Sequence, residues 1–188
     1  MLNDAFGLLS TTSGMQPILR AIKAGDEPEL LRLMQPAAIL FTDLDAFSIC
    51  PLAEGLHRVW AFETALAPLL VRMRATLVKA EGDSHLVLAE QVSALVGVIE
   101  GLQAVRPALA FSAGMDYGPV LLCRHHWKRL DVYGPHVSRA SRFGEDWASQ
   151  GQILLSLEAY AQLDRAVQQR CRSFPVQGVM AFVLELAI

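Results

Sequence analysis

The sequence predicts an α+β sandwich built on a β-α-β-β-α-β core, with helices on one face of a mainly antiparallel sheet. Apolar runs of strand length alternate with segments of helical spacing, and short strand pairs are inserted around glycine turns. Hydrophobic residues make up 53% of the 188 and charged residues 19%, which is ample material for a core. The length suits one domain, with a helical N-terminal extension over residues 1–35 ahead of a main domain over 36–188.

The lead-in is weakly patterned, with Pro28 suited to the first turn of a helix over Glu29–Met34 and Pro36 placed to close it. Ala37–Thr42 is a continuous apolar run ending in the acidic turn Asp43-Leu44-Asp45, as expected for a strand buried on both faces. From about Leu56 to Thr76 apolar residues recur at helical spacing, with Val59, Phe62, Leu66, Leu69, Leu70 and Met73 on one side. Pro68 is expected to bend or interrupt that helix. Leu77–Lys79 and His85–Ala89 form a predicted hairpin around Glu81-Gly82-Asp83, where glycine supplies a positive φ.

A second helix spans Glu90–Val105 and stops at Pro107, before strands at Leu109–Gly114, Val120–Cys123 and Leu130–Tyr133. A helix then runs from Gly134 to about Trp147, followed by a strand at Gln152–Ser156 and a helix at Leu157–Val167. Two strands within Arg172–Leu186 turn at Gln177-Gly178. The order matches a ferredoxin-like core with added elements.

The formal net charge of −3 supplies no positive field for a nucleic-acid backbone. The strands also lack the interleaved aromatics of an RNA-reading sheet. Mean hydropathy is +0.33, yet no apolar run reaches the 18 to 20 or so residues of a membrane span. The N-terminus lacks the positive start of a secretory signal, so the expectation is a cytoplasmic protein. Cys50, Cys123 and Cys171 lie far apart without a CxxC and read as ordinary thiols. Arg124, His125, Lys128 and Arg129 make a local basic patch, best explained as a solvated hairpin. His85 and His136 are expected to be turn histidines with satisfied rings.

The first strand and the hairpin carry the two acidic turns, and in such a core these strands are commonly neighbours, which would bring Asp43 and Asp83 together. Spacing leaves two readings open. Adjacent carboxylates that repel can share divalent cations through hard oxygen ligands, or each can simply solvate its own turn. Asp45 adds a third oxygen to the group or points away from it, since neighbours on an extended chain alternate faces.

Three strings occur in the order and spacing of the catalytic domain of class III nucleotidyl cyclases: FTDLDAFS (Phe41–Ser48), LVKAEGDS (Leu77–Ser84) and LDVYGPHVSRASRF (Leu130–Phe143), the last followed by GQILLS (Gly151–Ser156). The chain resembles that family over residues 37–186, with the third string the most specific. The resemblance implies conversion of ATP to 3′,5′-cyclic AMP and pyrophosphate with two Mg²⁺ or Mn²⁺ ions per site. It implies that Asp43 and Asp83 bind the metals, and that Ala46-Phe47-Ser48 binds phosphate oxygens through backbone N–H groups.

Lys79 and Asp131 match the pair that reads the purine edge. That pair suits adenine, whose ring nitrogen accepts from an ammonium while its exocyclic amine donates to a carboxylate. Arg142 matches the arginine that neutralises charge on the transferred phosphoryl group. Metal aspartates and purine-reading residues come from different subunits in the family, so the resemblance implies a C₂ homodimer.

Three positions depart from the family pattern. Ser138 stands in place of an asparagine that positions the ribose, Gln177 in place of a phosphate-binding lysine, and Ala46 in place of glycine. Loss of one positioned transition-state donor typically costs about 10²- to 10³-fold in rate, although serine and glutamine both retain a donor. The alternatives are a catalytically degenerate nucleotide-binding or dimerisation module, and a cyclase for GTP or a pyrimidine nucleotide.

Overall fold

Strand β2 (Gln35–Leu44) lies in the interior of the sheet because its side chains at Ala37–Leu40 are apolar on both faces, and all four are fully buried. The structure, a computed structural model, describes residues 13–105, 110–124 and 130–186. After β2 come α3 (Leu52–Met73), β3 (Thr76–Glu81), β4 (Ser84–Ala89), α4 (Val92–Val105) and β5 (Phe111–Arg124). They assemble in the order β3-β4-β2-β5, every neighbouring pair antiparallel, which is the predicted core. Strand β7 (Ile153–Ser156) extends the sheet parallel to β5. The hairpin of β8 (Cys171–Val176) and β9 (Val179–Leu184) completes that edge through β9.

Strand β6 (Leu130–Tyr133) pairs with the outer end of β5, as does the short β1 (Ser13–Gly14). The described part of the lead-in also carries α1 (Met15–Ala24) and α2 (Glu27–Arg32). Asp26 caps α2 by accepting from the Glu29 N–H at 3.0 Å, and Pro28 occupies its first turn.

Alternation along β2 assigns the two faces of the sheet. Ala38 and Leu40 face α3 and α4, packing with Phe62, Leu66, Leu95 and Ile99. Ala37 and Ile39 face the other way, toward Leu88, Val120, Val132 and Ala140. Ala140 belongs to α5 (Pro135–Arg142), which runs into a π-turn at Phe143–Trp147. Helices therefore cover both faces rather than one. Each Leu, Ile or Phe buried here contributes about 1.5–3 kcal/mol.

Several predicted boundaries shift. Pro36 sits inside β2 instead of closing a helix, directly opposite Pro119, so two missing donors share one rung. Asp43 and Leu44 still belong to β2, and the turn begins after them. Pro68 does not interrupt α3. Both Pro68 and Thr64, whose carbonyl loses its partner there, lie on the exposed side of α3. The strands expected on either side of Pro119 are one strand, β5.

The helix expected at Leu157–Val167 is two, α6 (Leu157–Ala161) and α7 (Arg165–Gln168). Asp164 starts the second by accepting from the Val167 N–H at 2.9 Å, because a cap side chain competes with helix continuation. Pro107, Leu109 and the basic segment 125–129 lie outside the described residues. No helix among the described residues is long and apolar enough to cross a membrane.

Candidate active site

The acidic corner is built by the β2–β4 register, which sets Asp43 opposite Ser84. Ser84 Oγ donates to Asp43 Oδ1 at 3.0 Å, and the Leu44 N–H donates to the Asp83 carbonyl at 3.2 Å. Gly82, at φ 64°, lets the chain turn tightly enough to put Asp83 there. Burial pushes the Asp43 carboxyl above its ordinary range; the Ser84 hydrogen bond opposes this, and the charges of Asp83, Glu145 and Asp45 add to it. Glu145, in the π-turn, was not singled out in the sequence, since nothing local marks it as a neighbour of Asp43.

Asp45 is held by its own contacts. Its Oδ2 accepts from the Gly151 N–H at 3.0 Å, and its carbonyl accepts from Arg58 Nη2 at 2.6 Å.

Ala46 follows in the left-handed region, at φ 57° and ψ 23°, and leads into a 3₁₀ turn over Phe47–Ile49. The backbone keeps the conformation a glycine would take, although the residue is alanine. Phe47 packs partly against the core, leaving Ala46 and Ser48 exposed.

Lys79 and Asp131 meet through an irregularity that alternation does not predict. Leu77 pairs with Val87 but Lys79 pairs with Leu86, so Val78 is an extra residue, a β-bulge. Residues directly opposite share a face, and Leu86 lies on the α5 side of the sheet. The bulge thus turns Lys79 onto the face where β6 presents Asp131. Lys79 Nζ lies 2.7 Å from Asp131 Oδ1.

Asp131 Oδ1 also accepts from the Val132 N–H at 2.9 Å, and Oδ2 accepts from the Tyr133 hydroxyl at 2.9 Å. Burial raises the Asp131 pKa, but the hydrogen bonds from Lys79, Tyr133 and Val132 outweigh it and leave it below the usual range. Burial and the bond to Asp131 push the Tyr133 phenol up to about 12.

Ser138 and Arg142 stand one turn apart on α5, both exposed. A cavity of about 210 Å³ opens between this helix and the β3–β4 hairpin; Lys79, Glu81 and Ser84 line one side, Val137 and Ser141 the other. Gln177 sits apart from these residues. It turns the β8–β9 hairpin with Gly178, at φ 51° and 77°, as the predicted turn requires. That hairpin is at the opposite edge of the sheet from β3.

The histidines divide. His136 reaches Asp116, with Nδ1 3.2 Å from Oδ2. His85 is a strand residue rather than a turn residue, fully buried beside Phe62, with its Nε2 3.5 Å from Glu63 Oε1. Cys123 is buried and Cys50 and Cys171 half-buried, all three as free thiols.

No protein-family model and no curated protein sequence matches the chain. Solved structures do match it in three dimensions. The guanylyl cyclase domain of the RhoGC fusion protein from the fungus Blastocladiella emersonii, solved as a monomeric double mutant, superimposes with a TM-score of 0.71 at 14% identity. The match covers 81% of this chain and 95% of that one.

The adenylyl cyclase CyaB from P. aeruginosa gives a TM-score of 0.68 at 18% identity, covering 82% and 96%. A monomeric adenylate cyclase from Trypanosoma brucei also gives 0.68 at 18% identity, covering 79% and 87%. With the three sequence strings seated on the strands and helix described above, the chain has the fold of the class III nucleotidyl cyclase catalytic domain.

Proposed function

We propose that the domain is a nucleotidyl cyclase that converts ATP into 3′,5′-cyclic AMP and pyrophosphate at a homodimer interface. The observation that carries this reading is the Lys79–Asp131 pair, preassembled at 2.7 Å. An ammonium beside a carboxylate offers a donor to the adenine ring nitrogen and an acceptor to its exocyclic amine. Guanine presents an oxygen where adenine presents that amine, and the carboxylate repels it.

In the reaction the ribose 3′-oxygen attacks the α-phosphorus, the bond from that phosphorus to the bridging oxygen breaks, pyrophosphate leaves, and the hydroxyl proton passes to solvent. Arg142 neutralises charge on the transferred phosphoryl group, and Ser138 donates to the ribose. The backbone N–H groups of Ala46-Phe47-Ser48 and the Gln177 amide hold phosphate oxygens.

Asp43 and Asp83 would hold two Mg²⁺ or Mn²⁺ ions, which supply activation of the 3′-hydroxyl and anchorage of the triphosphate. The donor set fits, since both are hard oxygen ligands and neighbouring negative charge adds to the raised Asp43 pKa. Among the described residues no group of three or more His, Cys, Asp or Glu side chains is placed to hold an ion. The remaining ligands would be water, backbone carbonyls or the nucleotide's own phosphates, which predicts an ion affinity that depends on bound nucleotide.

In the homodimer one copy supplies Asp43 and Asp83 and the other supplies Lys79, Asp131 and Arg142. Apolar side chains exposed at the end of the 3₁₀ turn and along the start of α3, Ile49 at 84% and Leu52 at 79%, followed by Leu56 and Trp60, support a covered face there.

The second reading, a nucleotide-binding module without turnover, is favoured by Ser138 and Gln177 standing where the family has asparagine and lysine. One experiment separates the two. The protein is incubated with ATP, GTP, CTP and UTP in turn with Mn²⁺ or Mg²⁺, and cyclic nucleotide and pyrophosphate are measured by mass spectrometry. The cyclase reading expects product from ATP and none from Asp43→Ala; nucleotide binding without product supports the module.

A further inference from the structure

Strand β5 runs beneath α5 with Gly114, Asp116 and Gly118 on one face, opposite Phe41, Ile39 and Ala37 of β2. The two glycines set the distance: a Cβ at Gly114 would overlap the Ala140 carbonyl, and one at Gly118 would overlap the His136 ring. Between them Asp116 is fully buried.

Its carboxylate is saturated. Arg139 Nε donates to Oδ2 at 2.6 Å and Nη2 to Oδ1 at 2.9 Å, a bidentate pair. Ser156 Oγ donates to Oδ1 at 2.5 Å and the Tyr117 N–H at 2.7 Å. Arg139 Nη2 also lies 2.7 Å from Glu158 Oε2. One buried carboxylate therefore ties together β5, α5 and the junction of β7 with α6.

Attaching a helix to a sheet does not need such a group. Apolar side chains of similar volume hold buried interfaces as well as an ion pair does, or better, and they do so without fixing an angle. Two hydrogen bonds in a fixed fork forbid rotation and sliding of α5, and that helix carries Ser138 and Arg142.

We propose that Asp116 and Arg139 are positioning residues, which set the aim of Ser138 and Arg142 at the candidate active site. The proposal rests on the cyclase reading for its kinetic consequence and on geometry alone for its structural one.

The test uses the full chain with Arg139→Lys, which keeps the charge but loses the fork, and with the double variant Asp116→Leu/Arg139→Met, which fills the volume without it. Three quantities are measured: thermal midpoint, amide hydrogen exchange over residues 135–142 relative to 37–42, and steady-state kinetics with ATP and Mn²⁺. We expect cooperative unfolding in both variants and exchange in α5 about tenfold faster or more. We also expect kcat to fall about tenfold or more while KM for ATP stays within about threefold, with Arg139→Lys less affected than the double variant.

Folded variants with wild-type exchange and wild-type kcat overturn the proposal. If the double variant fails to fold, Arg139→Lys decides by the same criteria. A wild-type protein that makes no cyclic product overturns the cyclase reading instead, and exchange in α5 then decides the positioning role.

Discussion

Ser84 donates a hydrogen bond to Asp43 across the β4–β2 rung, at 3.0 Å, and so fastens the tip of one hairpin to the end of strand β2. The same rung places Asp83, one residue before, beside Asp43. Ser84→Ala removes this bond while keeping the backbone register. We expect a loss of stability of about 0.5–1.5 kcal/mol, read from the urea midpoint. Weaker Mn²⁺ binding in the presence of nucleotide should accompany it, because the Asp43 carboxylate loses the group that orients it.

Ala46 occupies a conformation that costs an L-residue about 1–2 kcal/mol. Ala46→Gly should therefore raise stability by about 0.5–1 kcal/mol despite the greater freedom of glycine in the unfolded chain. A thermal midpoint unchanged or lowered by this substitution would show that the turn is not under strain.

Base preference should follow the Asp131 carboxylate. In Asp131→Asn an amide replaces it, and an amide can donate to the guanine oxygen. We expect the ratio of kcat/KM for ATP over GTP to drop about tenfold or more, since one good hydrogen-bond match is worth about 1–3 kcal/mol. Competition binding with the two nucleotides reads the same change without turnover.

The Lys79–Asp131 pair also predicts a pH dependence. Asp131 has a folded pKa below its ordinary value of 3.8, so it contributes stability that is fully present above that value and is lost as pH falls through the folded one. Lys79→Met removes the largest contact that lowers it. The stability difference between wild type and Lys79→Met should hold at about pH 6 and shrink as pH falls below 3.8. A difference constant across that range would mean that the pair carries no net stabilisation.

Much of the core was legible because it follows local rules. The buried strand at Ala37–Thr42, the hairpin at Gly82 and the turn at Gln177-Gly178 all obey hydrophobic period or turn chemistry, and the structure has each. What escaped is non-local. The bulge at Val78 that turns Lys79 toward Asp131 leaves no trace in alternation, and neither does the pairing of Pro119 with Pro36 that keeps β5 in one piece.

Asp116 and Arg139 are 23 residues apart, and neither is unusual alone. A signal was nevertheless present. Gly114, Asp116 and Gly118 lie on one face of a strand, and His136, Arg139 and Ala140 fall at helical spacing on the helix that covers them.

Asp116 also constrains the order in which the chain can assemble. Its hydrogen-bond partner Ser156 lies 40 residues downstream, so a nascent chain that has emerged only through α5 cannot complete the carboxylate's shell, and burying it unfinished is costly. The shell of this carboxylate is complete only when the β7–α6 junction packs beside α5, so the surface bearing Ser138 and Arg142 is tied to a segment that follows it in the chain.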